Sequence, residues 1–228
     1  SDVYKRQVQV HPNDDYALQH EGEYGKTECW YILDAEPGAE IIYGVDADSQ
    51  AELHQLIDNK DFDHLFKHVS VHPGEFYYVP AGTVHAIGSG ILILETQQSS
   101  DTTYRIYDYD RKDSHGHTRE LHLEQSKDVI DISNRHPNTS PLTKEIDGNT
   151  YTQFVANDFF TVEKWTINHQ MQWDKPHDYC LVSVIDGEGK ILIDDKPYYI
   201  KKGMHFILTS ENQTITFEGN IELIISHP

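Results

Sequence analysis

The sequence predicts an all-β protein built from two small β-barrel domains with a few short helices. Three observations point there. Short aromatic and β-branched runs recur along the chain, bounded by Gly, Pro, Asn and Asp. Both halves share one order of signals, a hairpin, a glycine-opened strand and a closing strand, with Gly74 of the first half answering Gly203 of the second. Between them, residues 112–150 are rich in His, Ser, Asn, Asp and Pro, which marks a linker. The expected domains are therefore 7–111 and 151–228.

Residues 7–12 read as a short extended segment that ends at Pro12, which cannot continue a central ladder. Asn13 suits the cap of one or two helical turns over 14–20. Residues 28–33 and 39–43 read as strands joined through Pro37 and Gly38, together a hairpin. Ser49 caps a helix reaching about residue 59, with Glu52 completing a Ser-x-x-Glu box. A second short helix is expected over 62–67, and strand pattern returns at Val69. Residues 76–79, 85–87, 90–96 and 104–109 follow as strands, with turns at Pro73-Gly74 and from Pro80 to Gly82.

Within the linker only residues 123–129 suggest a helix. Beyond it, strands recur at roughly 8 to 12 residue spacing, among them 159–167, 179–186, 189–193, 213–218 and 221–226. Gly187-Glu188-Gly189 and Asp194-Asp195 read as hairpin turns.

Composition excludes several classes of partner. A net charge of -20, from 38 Asp and Glu against 18 Lys and Arg, repels phosphate backbones and argues against nucleic acid. An anionic small substrate then requires a local basic patch. No run approaches the ~18 apolar residues of a membrane span and no leader pattern opens the chain, so a cytoplasmic protein without membrane contact is expected. Cys29 and Cys180 lie in apolar runs and read as buried thiols of a reducing compartment. The polar run from Ser1 to Arg6 lacks an initiator Met and leads directly into a core strand, so a fragment or a foreign start is expected.

Chemistry concentrates in the first half. Gln9 and His11 are two apart on an extended segment and project to one face. An inward Gln-His pair needs a partner to satisfy it. Glu28 adjoins an apolar strand and needs a cation or donors if buried. In the string from Gly74 to His85, Gly is followed by five residues, Pro, one residue, Gly, two residues and His. Pro80 and Gly82 shape a tight return that delivers His85 inward. Two imidazoles, a carboxylate and an amide oxygen form a ligand set for Zn²⁺, with Mn²⁺, Fe²⁺ and Co²⁺ left open because an amide is an unusual zinc ligand.

That string resembles the second signature motif of the cupin superfamily, which implies jelly-roll barrels. Four blocks are more specific: Gln-Val-His-Pro at 9–12, Gly-Lys-Thr-Glu-Cys-Trp-Tyr at 25–31, Pro-Ala-Gly-Thr-Val-His-Ala at 80–86 and Thr-Tyr-Arg-Ile-Tyr-Asp-Tyr-Asp-Arg at 103–111. In this order they resemble type I mannose-6-phosphate isomerase in its short bacterial form. The resemblance implies a single zinc on Gln9, His11, Glu28 and His85, active-site roles for Lys26 and Arg105, and an acidic residue near the metal at Glu95. It also implies an N-terminally truncated chain whose complete form carries further strands ahead of Gln9. The expected substrate is a small sugar phosphate of carbohydrate metabolism, and the expected assembly a monomer or weak homodimer.

The implied reaction interconverts D-mannose 6-phosphate and D-fructose 6-phosphate through an enediol(ate), with the metal polarising substrate oxygens. Glu95 is the first candidate for the proton-transfer base, and Arg111 and Lys112 are candidates to hold the phosphate. Another metal-dependent cupin enzyme, such as an oxygenase, and a noncatalytic sugar-binding cupin remain alternatives. The cluster His115, His117 and His122 reads as solvated loop. The second domain lacks the constellation: its string from Gly203 to Ser210 has no Pro and no turn histidine, and His177 ahead of it has no matching partner.

Overall fold

The computed structural model describes residues 6–133, 139–174, 178–211 and 214–228. The chain divides into two compact units, Ser1–Asn138 and Thr139–Pro228, and both are built mainly of strands, as an all-β cupin fold requires.

The first unit contains a five-stranded and a three-stranded sheet. In chain order its elements are β1 (Val8–Val10), α1 (Asp14–His20), β2 (Glu28–Ala35), β3 (Glu40–Val45), α2 (Gln50–Asp58), α3 (Phe62–Leu65), β4 (Phe66–Ser70), β5 (Phe76–Val79), β6 (His85–Ile87), β7 (Ile91–Gln97), β8 (Tyr104–Tyr107) and α4 (Leu123–Val129). The larger sheet runs β4-β3-β6-β1-β8 and the smaller β5-β2-β7. They pack through a core in which Trp30, Ile32 and Val79 of one meet Ile41, Tyr43 and Ile87 of the other. The arrangement is an open jelly roll of two packed sheets rather than a closed ring of strands.

The 28–43 hairpin does not form. β2 pairs with β5 and β7, whereas β3 pairs with β4 and β6 in the other sheet. The turn at Pro37-Gly38 is present, but it carries the chain across the sandwich. β2 is central in its sheet and buried on both faces, which explains its almost unbroken apolar run. Helix α2 is capped by Ser49, whose side chain accepts from the Glu52 N–H at 3.2 Å. Glu52 reaches back to the Asp48 N–H instead of closing the box on Ser49. β4 begins at Phe66, ahead of the expected Val69, while β8 stops at Tyr107 because Tyr109 and Asp110 adopt left-handed φ values of 55° and 51°.

The second unit holds β9 (Leu142–Ile146), β10 (Asn149–Ala156), β11 (Thr161–Asp174), β12 (Cys180–Ile193), β13 (Lys196–Lys201), β14 (His205–Leu208) and β15 (Thr214–His227). Its sheet runs β13-β12-β15-β11-β10-β9, with β14 also on β12. Trp165, Ile167, Val182, Val184, Phe217 and Leu223 centre its core. β9 was not expected; it pairs with β10 across the left-handed pair Asp147-Gly148, inside the stretch read as linker. Asp194-Asp195 turns β12 into β13 with both φ values positive, as a tight hairpin requires.

Gly187-Glu188-Gly189 is not a turn. It lies within β12, which pairs with β15 on both sides of a bulge near Val184 and Asp186. Glycine is needed there because a Cβ on Gly187 would stand 2.0 Å from the Asn220 carbonyl oxygen, and one on Gly189 2.2 Å from that of Glu218. Gly74 and Gly203 do share a role: each turns the chain with a left-handed φ, 92° and 87°, shortly before a short strand.

Candidate metal centre and active site

Gln9 in β1 has His85 of β6 and Arg105 of β8 as its Cα partners. Direct cross-strand partners project to one face, so these three form a row across the larger sheet. His11, two residues on, falls on the same face. Glu28 opens β2 in the smaller sheet, between Val79 and Gln97. The two sheets thus bring an amide and two imidazoles against one carboxylate.

His11, Glu28 and His85 are each 1% exposed, and one donor atom from each lies within 4.8 Å of the others. Nε2 of His11 stands 3.5 Å from Oε2 of Glu28, and Nε2 of His85 stands 3.3 Å from Oε1. The Gln9 amide is 3.2 Å and 3.0 Å from the same two ring nitrogens. The opposite ring nitrogens are engaged by backbone: Nδ1 of His11 donates to the Thr102 carbonyl at 2.7 Å and Nδ1 of His85 to that of Thr83 at 2.9 Å. With the proton held at Nδ1, each Nε2 lone pair points inward.

Oε2 of Glu28 is buried without a hydrogen-bond partner among the described residues. An orphaned carboxylate oxygen beside two inward lone pairs is a collection of acceptors, which is stable only around a cation or donor. Gln9 completes the set when a half-turn of its amide presents oxygen. These residues fit a divalent metal ion.

Electrostatics grade the carboxylates apart. Burial acts to raise the Glu28 pKa, but His85, His11 and Lys26 outweigh it and hold the carboxyl down at about 2. Burial drives His85 toward its neutral form, down to about 4, against the pull of Glu28. Glu95, across from Trp30 on β7, is pushed up to about 7 by burial and then by the Glu28 carboxylate. Lys26 places its Nζ 3.8 Å from Oε2 of Glu28.

A cavity of about 520 Å³ opens on this cluster, lined by Gln9, Lys26, Glu28, His85 and Glu95 together with Arg6, Arg111 and Arg119. Arg105 does not line it. Its Nη1 donates to the Glu120 carbonyl at 2.7 Å, and its Nε is buried without a partner among the described residues. Sequence reasoning missed Trp30, whose indole touches two of the candidate ligands, and the group of Asp108 and Arg119. His115 and His117 are exposed, as a solvated loop requires, but His122 docks on β8, exchanging backbone and ring hydrogen bonds with Arg105. His177 lies outside the described residues.

A two-unit jelly-roll fold with a buried cluster of two histidines and a carboxylate defines a cupin protein with a candidate metal centre. Comparison narrows the class. The sequence profile of the mannose-6-phosphate isomerase cupin domain matches residues 150–228. The chain is 51% identical over 220 residues to a mannose-6-phosphate isomerase of Streptococcus mutans, covering 96% of this chain and 69% of that protein. It is 47% identical to the mannose-6-phosphate isomerase ManA of Bacillus subtilis, covering 96% and 70%. A crystal structure of the mannose 6-phosphate isomerase from Bacillus subtilis superposes with a TM-score of 0.94 at 43% identity, over 99% of this chain and 72% of that one. The chain belongs to the mannose-6-phosphate isomerase family. Among the described residues no helix is long and apolar enough to cross a membrane.

Proposed function

We propose that this chain is a metal-dependent isomerase that interconverts D-mannose 6-phosphate and D-fructose 6-phosphate through an enediol(ate). The observation that carries the reading is the buried convergence of His11, Glu28 and His85 with one carboxylate oxygen left unpartnered. Gln9, His11, Glu28 and His85 would hold the ion, and Zn²⁺ suits two imidazoles and a carboxylate. When bound, it would polarise the substrate oxygens as a Lewis acid.

The chain's own groups divide the remaining work. Glu95, whose pKa stands near neutrality, takes the proton from C2 of the open-chain aldose and returns it at C1. Lys26, which lines the cavity, offsets the negative charge that builds on the enediolate oxygens, and Arg105 joins it only if its guanidinium leaves the Glu120 carbonyl. Catalysis belongs to residues 7–111 of the first unit; the stretch 112–150 is no separate linker, since α4 belongs to the first unit and β9 to the second, and residues 151–228 carry no candidate metal cluster among the described residues. The two buried cysteines, neither in a disulfide, support a cytoplasmic setting. A monomer or weak homodimer is the working assembly.

Purified protein supplied with Zn²⁺ and mannose 6-phosphate in deuterated water is expected to form fructose 6-phosphate labelled at C1. His85→Ala is expected to lose both product and stoichiometric zinc, measured by elemental analysis. Absence of product from this chain, and from one lengthened to the span of its relatives, overturns the isomerase reading.

A further inference from the structure

His11 and His85 are aimed by different devices. Nδ1 of His85 donates to the carbonyl of Thr83, two residues back on the same turn. Nδ1 of His11 donates to the Thr102 carbonyl at 2.7 Å, across 91 positions of sequence. The first contact is built into the turn, whereas the second holds only if the loop after β7 is fixed in space. Residues 98–103 belong to no strand or helix, so their backbone groups must find partners in side chains and neighbouring segments.

Ser100 is the buried centre of that loop, 4% exposed. Its hydroxyl donates to the Tyr24 carbonyl at 2.8 Å and accepts from the Thr102 N–H at 3.2 Å, so one oxygen ties Thr102 to the segment 23–27. The Thr102 hydroxyl donates to Oε2 of Glu23 at 3.1 Å and repeats the tie. Gln98 N–H donates to the Thr27 carbonyl at 3.0 Å, and its Oε1 accepts from the Thr27 N–H at 2.7 Å. Thr27 stands between Lys26 and Glu28, and its hydroxyl accepts from the Ala81 N–H at 3.3 Å, in the return that delivers His85. The loop thus takes its position from the segment that carries Lys26 and Glu28, and hands it to His11 through one carbonyl.

We propose that Ser100 is a positioning residue of the candidate metal centre, holding the Thr102 carbonyl where it turns Nε2 of His11 toward the ion. The inference rests on the reading of His11 as a metal ligand, but not on the sugar or the reaction. A carbonyl that accepts from Nδ1 fixes the tautomer and plane of the ring and raises the basicity of Nε2. A serine hydroxyl is donor and acceptor at once. Alanine is neither, and leaves the buried Thr102 N–H without its partner. Ser100 does not line the cavity, so its loss acts on the aim of one ligand, while the local bond between His85 and Thr83 stays intact.

The test compares the wild type with Ser100→Ala, Ser100→Thr and Glu23→Ala. Chelator competition reads Zn²⁺ affinity, visible absorption of the Co²⁺-loaded protein reads ligand geometry, and denaturant unfolding reads the stability of the metal-free chain. Ser100→Ala is expected to bind Zn²⁺ about tenfold more weakly, the low end for losing a group that orients a ligand, and to shift the Co²⁺ bands. Ser100→Thr keeps the hydroxyl and is expected to restore both. Glu23 is exposed, so Glu23→Ala is expected to fold and to change affinity and spectrum in the same direction by less. Wild-type affinity and spectrum in a folded Ser100→Ala overturn the proposal even where the metal-free chain loses stability, because the hydroxyl then holds only the loop. Where Ser100→Ala does not fold, an unchanged Co²⁺ spectrum in Glu23→Ala overturns it. A wild-type protein that takes up neither Zn²⁺ nor Co²⁺ overturns the metal-centre reading and this inference with it.

Discussion

The indole N–H of Trp30 donates to Oε1 of Glu28 at 3.0 Å, while the same side chain packs T-shaped against the His85 imidazole at a centroid distance of 5.4 Å and 74°. Trp30 lies two residues beyond Glu28 on β2 and therefore shares its face. A single buried side chain thus fixes two of the candidate ligands. By occupying Oε1, it leaves Oε2 as the carboxylate oxygen without a partner.

Trp30→Phe keeps much of the aromatic packing and removes only the donor and one ring. Metal affinity is expected to fall by about 10- to 100-fold, the usual cost of losing a group that orients a ligand. Oε1, left buried and unsatisfied, is expected to cost the metal-free protein about 1 to 3 kcal/mol. Chelator competition reads the first effect and denaturant unfolding the second. Wild-type affinity in the variant would remove Trp30 from the site.

Gly25 governs where Lys26 goes. A Cβ at Gly25 would stand 2.4 Å from the Asn13 carbonyl carbon and 2.6 Å from the Pro12 oxygen, both backbone atoms of the segment that follows His11. The close approach is sealed by Gly25 N–H donating to Oδ1 of Asp14 and Lys26 N–H donating to the Pro12 carbonyl, at 2.9 Å and 3.1 Å. Gly25→Ala must push the two segments apart. It is expected to destabilise the first unit by about 1 to 3 kcal/mol, as overpacking does, and to lower turnover by displacing Lys26. An unchanged denaturation midpoint would show that the contact yields freely.

Local signals carried the candidate ligands into the sequence, and tertiary ones did not. Gln9 and His11 are legible because a period of two is enough to put them on one face, and His85 because Pro80 and Gly82 must turn the chain just before it. The partner of β2 was not legible: Pro37-Gly38 makes the same turn whether the next strand pairs or crosses to another sheet. Gly187 and Gly189 misled because glycine serves both a turn and a close backbone approach, and only the β15 backbone distinguishes them. Arg119 sits in a polar stretch like any surface arginine. Its role emerges only when the loop closed by Lys112 and Thr118 sets it beside Asp108.

Acid should separate Asp108 from an ordinary surface carboxylate. Hydrogen bonds from Arg119 hold its pKa below the usual carboxylate range, with Arg111 adding to the effect and burial opposing it. A carboxyl whose pKa is lower folded than unfolded contributes stability that is fully present above its unfolded pKa, about 3.9. That contribution disappears as pH falls from there through the lower folded value, because the unfolded chain takes up the proton first. Asp108→Asn abolishes the contribution at every pH and leaves two guanidiniums facing each other. The stability gap between wild type and Asp108→Asn is therefore expected to be constant from neutrality to about pH 5 and to shrink below about pH 4. Denaturant midpoints of the two proteins across that range measure the gap directly. A gap that keeps its full size under acid conditions would mean that Asp108 acts through packing or neutral hydrogen bonds, and that the arginines are not held by its charge.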